Sequence, residues 1–453
     1  MTRKAEIPQG WEVTTFASAV ISEKGRKPGD LGPRNASRSI PYVNIRAFER
    51  GVVEEYCDPL DRIVKCAPGD ALIVWDGARS GLVGKALEGA VGSTLARLHS
   101  DIFETDYLRL FLSTKFGELN TRTKGVGIPH LDPRVIGELL IPVAPLAEQR
   151  RIVKAIETRF TRLDAAFGAL ERARTNLKRY RASILEAACD GRLTSGVAAL
   201  GQRSSPPSTR GSALPSDWNR STLEQLNPVG RQCAYGILQP GPDVPGGVPI
   251  VRVQDIREGR VDLSNLKRVK RRIAAAYPRT RLKGGEVLIS LVGAIGRTAV
   301  APPELAGANT ARAVGVIPIR ASIEPKWVEF SLRRPSMVAR LTSLAHEVAR
   351  KTLNLEDVRA TSVSVPPRET QRSLIDDVDR CFSIADKVDA EVEDGLEGCN
   401  RLRDAILSRA FEGRLVPQDP SDEPARVLLE RIRAATRTIS KPARGAKRLL
   451  AAE

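Results

Sequence analysis

The chain has 453 residues, with 71 Lys and Arg against 54 Asp and Glu for a formal charge of +17, and 42% of residues are hydrophobic. That length allows two or three domains with their own cores, and the apolar content excludes a disordered polyelectrolyte. The start before Pro8 has no apolar stretch of signal-peptide length and no later window resembles a membrane span, so a soluble cytoplasmic chain is expected. Cys57, Cys66, Cys189, Cys233, Cys381 and Cys399 are scattered without a C-x-x-C pair, which argues for reduced, mostly buried thiols and against disulfides or a zinc site. The positive balance suits nucleic acid, an anionic membrane or an acidic protein equally.

Residues 1–144 read as a first globular module. Short Val- and Ile-rich runs, among them Ile40-Pro41-Tyr42-Val43 and Ala71-Leu72-Ile73-Val74, are bounded by Pro-Gly, Gly-Asp and Glu-Arg-Gly, which predicts a mostly β core. Phe103 to Phe116 reads as an accompanying helix. Pro145-Leu146-Ala147-Glu148-Gln149-Arg150 then opens a long helix within 145–193, closed at Gly191-Arg192-Leu193. Its apolar residues Ile156, Phe160, Leu163, Phe167, Leu170, Leu177, Tyr180 and Ile184 form a narrow seam of heptad type. Residues 194–213, rich in Ser, Pro and Gly, read as a flexible linker.

The pattern then repeats. Residues 214–365 form a second module in which Leu214-Pro215-Ser216-Asp217-Trp218 answers Ile7-Pro8-Gln9-Gly10-Trp11, and Lys326 to Leu341 reads as its helical part. Pro367-Arg368-Glu369-Thr370-Gln371-Arg372 opens a second long helix within 366–417, with Val378, Phe382, Ala385, Val392, Leu396, Cys399, Leu402 and Ile406 as its seam. The offset is 371 − 149 = 222 at the start and 413 − 191 = 222 at the closing glycine, so the two helices align without a gap. Each is the expected partner of the other in a coiled-coil spacer. Residues 418–453 read as a C-terminal tail, its last basic stretch disordered and adding non-specific attraction.

Catalytic signatures are missing. Gly81-Leu82-Val83-Gly84-Lys85-Ala86 lacks phosphate-loop spacing, with Ala86 where Ser or Thr would hold magnesium, and reads as a β-turn. His99, His130 and His346 stand apart from any ligand-spaced cluster. Asn227-Pro228-Val229-Gly230 has no aromatic residue to stack on a flipped base, and Glu324-Pro325-Lys326 is a poor nuclease half-site because Pro325 breaks a strand. What remains is a binding protein whose helices dock other subunits.

Two modules alternating with two helices, each helix opened by Pro-x-x-Glu/Thr-Gln-Arg and closed by Ile-Leu-x-x-Ala-x-x-Gly-Arg-Leu, resemble the DNA-specificity subunit of type I restriction-modification systems over nearly the whole chain. Thr370 departs from the Glu found at position 148. The resemblance implies an α+β fold: two similar α/β target recognition domains separated by two long helices in an antiparallel coiled coil, with a pseudo-twofold internal repeat. It implies a non-catalytic subunit that recognises a bipartite site in double-stranded DNA. Two methyltransferase subunits and the restriction and translocase subunits would be its partners, and S-adenosylmethionine, ATP and Mg2+ would belong to them, with no cofactor here. The alternative is a coiled-coil scaffold whose basic surface binds RNA or protein.

Base readout needs side chains with paired polar groups, whereas phosphate contact needs only cations. In the first module the candidates are Asn44 and Arg46, with Asp76, Arg79 and Ser80 around a turn; in the second, Arg252, Gln254 and Asp255, then Arg297 and Thr298, then Asn309 and Arg312. Each of these reads either as a base contact or as a solvated edge charge. Lys267, Arg268, Lys270, Arg271 and Arg272 form the densest basic run, a phosphate clamp or a solvated face, and Lys124, Arg350 and Lys351 are further phosphate candidates.

Overall fold

The computed structural model describes residues 7–59, 62–125, 127–193, 214–347 and 351–439. The expected linker 194–213, Arg350 and the basic stretch from Ser440 onward lie outside the described residues. The chain divides into two units, one made of Met1–Ala169 with Gly395–Glu453 and the other of Leu170–Asp394.

In the first unit the run Ala71–Val74 is buried at every position, which is why it reads as continuous apolar sequence rather than as an alternation. It lies inside a four-stranded sheet ordered Ile21–Lys24, Leu95–His99, Ala71–Val74, Val83–Lys85. Val83–Lys85 is thus a strand, and the expected turn is confined to Gly81, at φ 92°. A second sheet carries Ile40–Val43 parallel to Gly89–Val91. Glu12–Thr15 pairs with Leu140–Val143, so the chain's first strand lies beside the one that feeds the long helix.

The second unit repeats this plan. Ala234–Tyr235, Val314–Ile317, Val287–Ser290 and Thr298–Val300 form the four-stranded sheet, Val248–Val251 runs parallel to Asn309–Thr310, and Asn219–Thr222 pairs with Ser362–Val365. Pro325 opens a helix, Pro325–Arg333, rather than breaking a strand. The helix expected to run on to Leu341 stops there and restarts as Pro335–Ser343, because Pro335 holds Arg334 extended at ψ 141°.

The long helices are Leu146–Cys189 and Arg368–Phe411, 44 residues each, and the 222-residue offset relates both of their ends. In the first unit Ile152 and Ile156 pack with Leu407 and Ala410, and Arg403 pairs with Asp164. In the second, Ile184, Leu185 and Ala188 pack with Leu374, Val378 and Cys381, and Arg181 pairs with Asp386 at 2.7 Å. Within each unit, therefore, one half of one helix runs antiparallel to the opposite half of the other. Two seam positions differ from expectation, and one of them is Phe167, which is 38% exposed. Leu402 is 55% exposed, and Arg403 turns inward instead, its guanidinium 4.7 Å over the Phe160 ring. An arginine can take a seam place because its stem is apolar and its head reaches a carboxylate.

A buried glutamine ties each helix to its module. Gln149 accepts from Glu104 N at 2.8 Å and donates to Ala144 O and Ile102 O, while Gln371 accepts from Glu324 N at 2.9 Å and donates to Pro366 O. Tyr107 donates its hydroxyl to Pro142 O, and at the equivalent place Trp327 donates its indole N–H to Ser364 O. The closing glycines sit at φ 68° in both helices. Gly413 backs onto Pro8 and Trp11, and Gly191 onto Pro215 and Trp218, so neither has room for a Cβ.

The segment expected as a tail is partly structured. Ala425–Ile439 is a helix whose Ala425, Leu428 and Leu429 are buried in the core of the first unit. Ala425 N donates to Gly10 O at 2.9 Å and Arg151 pairs with Asp422 at 2.5 Å, which fixes the helix start against the N-terminal strand.

Candidate nucleic-acid interface

The polar residues singled out in the first module fall into three environments. Asn44 is the N-cap of the helix Ile45–Arg50, accepting from Ala47 N at 2.9 Å and donating to Glu55 at 2.6 Å, and Ser80 is fully buried with its hydroxyl on Gly77 O. Ser80 is committed to the backbone, and Asn44 to the backbone and the Glu55 carboxylate. Asp76 meets Lys24 and His130 at 2.7 Å each and Lys124 meets Asp132 at 3.0 Å, and the two sets are joined by backbone pairing of Lys124 with His130. Burial pushes the Asp76 carboxyl up, but the hydrogen bonds and charges of Lys24 and His130 outweigh it and hold it below the usual range. Arg46 is exposed on the first turn of its helix, and Arg79 is exposed but paired with Glu49.

In the second module Arg252 and Asp255 form a bidentate pair, at 3.0 Å for both contacts, that closes a one-turn 3-10 helix; Asp255 is buried by it. Asn309 is also buried. Its amide donates to Tyr277 O at 3.2 Å and its carbonyl accepts from Thr280 and Thr310 N, so no edge is left for a base. Thr298 donates to Glu329 inside the core. These positions looked accessible in sequence because they are polar and lie near turns, yet the fold uses them as internal fasteners.

Lys267, Arg268, Lys270, Arg271 and Arg272 run along the strand Lys267–Val269 and into the helix Arg271–Ala275. All but half-buried Lys267 are exposed, while Val269 points into the core. Arg271 lines a cleft of about 460 Å³ with Arg281 and Asn309. Arg312 is exposed, and Lys351 lies in the strand Lys351–Thr352, which pairs antiparallel with His346–Glu347.

A larger groove, of about 1460 Å³, gathers Gln254 and Arg297 from separate stretches of the second module. Two arginines not singled out above, Arg257 and Arg260, line it as well. They stand opposite each other in the two-residue hairpin Ile256–Arg257 with Arg260–Val261. Glu258 at φ 46° and Gly259 at φ 85° give the left-handed pair that a type I′ turn requires. The sequence signal was Arg-Glu-Gly-Arg between two apolar residues, a weaker hairpin mark than Asn-Gly. On the groove wall Glu329 is almost wholly buried; burial raises its carboxyl, against the charge of Arg333 and the hydrogen bond from Thr298.

Among the described residues no group of three or more His, Cys, Asp or Glu could hold a metal ion, and no helix is long and apolar enough to cross a membrane. What the arrangement offers is two frameworks of one plan with different polar side chains at equivalent places, such as Arg46 and Gln254.

No protein-family model matches the chain. It is 30% identical over 414 residues to the specificity subunit of the EcoBI type I restriction enzyme of Escherichia coli, covering 88% of this chain and 87% of the relative. The specificity subunit of the EcoKI type I restriction enzyme of Escherichia coli K12 is 23% identical over 474 residues, 95% of this chain and 96% of the relative. In fold, the chain is similar to one in a solved structure described as the structural basis of complex assembly and conformational transition of the type I R-M system. That match has a TM-score of 0.67 at 19% identity, over 90% of this chain and 99% of the other. With a relative at this identity covered over most of its length, the chain belongs to the family of type I restriction enzyme specificity subunits.

Proposed function

We propose that the chain is the non-catalytic, sequence-reading subunit of a cytoplasmic type I restriction-modification complex, each module recognising one half of a bipartite duplex site. The observation that carries this reading is the pair of modules built on one framework, each locked to a long helix by a buried glutamine, yet unlike in its exposed polar side chains. Shared framework gives both modules the same way of meeting a duplex, and unlike side chains give them different sequences to read. Exposed Arg46, Gln254, Arg297 and Arg312 are the base-reading candidates. The run from Lys267 to Arg272, with Lys124 and Lys351, supplies phosphate contacts. Asn44, Ser80, Asp255, Thr298 and Asn309 are scaffold.

The long helices would dock two methyltransferase subunits that bring S-adenosylmethionine, and restriction and translocase subunits would bring ATP and Mg2+. This chain's own part is to bind and orient the DNA. Exchange of residues 1–144 for the matching module of another specificity subunit, followed by genome-wide mapping of methylated adenine, tests the reading. One half of the methylated site should change and the other should stay; change in both halves contradicts it.

A further inference from the structure

The hairpin of Arg257 and Arg260 is built against its own electrostatics. Its register sets the two guanidinium-bearing residues directly across from each other, where like charges repel. Neither makes a side-chain hydrogen bond or ion pair among the described residues; nearby Asp262 accepts at its Oδ1 from the backbone N–H and the hydroxyl of Ser264 instead. A hairpin at the edge of a fold could relieve this repulsion by splaying, but this one is fastened. Arg333 Nη1 donates to Glu258 O at 3.0 Å, and Gly259 is bridged to Ala299. A Cβ on Gly259 would come within 3.1 Å of Glu329 Oε1 and 3.2 Å of Arg333 Cζ, so the turn sits directly on the helix Pro325–Arg333.

The other cations of this groove are already neutralised. Arg181 pairs with Asp386 at 2.7 Å, Lys326 with Asp379 at 2.5 Å and Arg333 with Glu329 at 3.0 Å. Among the described residues, Arg257, Arg260 and Arg297 are the groove's arginines without such a partner. A pair of guanidiniums held side by side on a rigid ribbon matches a polyanion with regularly spaced phosphates.

We propose that Arg257 and Arg260 form a backbone-phosphate clamp that holds one DNA strand in the groove while Gln254 and Arg297 face its base edges. The proposal rests on the reading of the second module as a duplex-binding domain. It also makes the two modules unequal. Val43 and Val251 end equivalent strands, but the first module continues into the helix Ile45–Arg50 where the second makes a one-turn 3-10 helix and then the Arg257–Arg260 hairpin. The first module therefore has a helix where the second has the two-arginine hairpin, and the clamp serves the second half-site alone.

The test uses the full-length chain assembled with its methyltransferase subunits, binding the recognised duplex and a duplex of unrelated sequence across a salt series. R257A/R260A should flatten the slope of log affinity against log salt by about two and weaken both duplexes by the same factor. R257K/R260K should keep the slope. A slope unchanged in R257A/R260A overturns the clamp, as does a loss confined to the recognised duplex. An assembled wild-type complex that binds no duplex overturns the proposed function and the clamp together; wild-type binding with an unchanged variant overturns the clamp only.

Discussion

Trp11 donates its indole N–H to the Glu148 carboxylate at 2.9 Å, joining the first strand of the module to the first turn of the long helix across 137 residues of chain. Glu148 is buried, and its second oxygen, Oε1, has no hydrogen-bond partner. Burial pushes its carboxyl above the ordinary range; the Trp11 hydrogen bond and the charge of Arg151 oppose this, and Asp422 adds to it. A carboxyl whose folded pKa is raised contributes stability fully below its unfolded pKa and loses that contribution as pH rises through the folded value. The first unit should accordingly weaken between mildly acidic and neutral pH. Glu148→Gln keeps an acceptor for Trp11 without the buried charge. It should flatten that decline, with the variant melting higher than wild type at neutral pH and the two curves converging near pH 4. A variant that melts lower at neutral pH would show that the charge is held there favourably.

Gln149 and Gln371 perform the same task in separate units, which makes them a matched pair of probes. Gln149→Ala leaves Glu104 N, Ala144 O and Ile102 O without their partner, and Gln371→Ala leaves Glu324 N and Pro366 O. An abandoned buried polar group costs about 1–3 kcal/mol. Gln149→Ala should therefore destabilise its unit by about 2–5 kcal/mol, and Gln371→Ala should cost somewhat less because fewer groups are stranded. Amide exchange read residue by residue checks this. Loss of protection should stay within Met1–Ala169 and Gly395–Glu453 for the first variant and within Leu170–Asp394 for the second.

Deletion of residues 418–453 should unsettle the first unit rather than trim a tail. It removes Leu428 and Leu429 from the core and breaks the Arg151–Asp422 pair, and burying a leucine side chain is worth about 1.5–3 kcal/mol. Trp11 should become more accessible to a fluorescence quencher while Trp327 in the other unit keeps its protection. Unchanged quenching would mean that the helix Ala425–Ile439 contributes no packing.

The repeat was legible in the sequence because a gap-free offset leaves two copies of one capping grammar, proline before each helix and glycine after it. The helix at Ala425–Ile439 was less so, since it follows Asp-Pro and Glu-Pro pairs that read as loop and its apolar residues face a core assembled from distant sequence. Hydrophobicity alone also selected Leu402 for the seam, although tertiary contact with Phe160 and Asp164 gives that place to Arg403. For the candidate interface, polarity near a turn did not separate Arg297, which is exposed, from Asn309 and Ser80, which are buried. The difference lies in which backbone groups each side chain must satisfy, and that is set by pairing across the sheet.

Arg297 is the base-reading candidate whose placement is best defined. It follows Gly296, at φ 81°, and its backbone is held on both sides: Arg297 N donates to Ser290 Oγ at 2.8 Å, and Ser290 N donates to Arg297 O at 2.8 Å. None of these bonds involves the guanidinium, so Arg297→Ala removes the side chain and leaves the turn intact. A bidentate contact to guanine discriminates against other bases by about 1–3 kcal/mol. Arg297→Ala should therefore relax recognition at one position of the second half-site by about that amount and leave the first half-site unaltered. Methylation of a library of sites randomised at each position reads this directly. A uniform loss over all sequences would make Arg297 a phosphate contact and move base readout in this groove to Gln254.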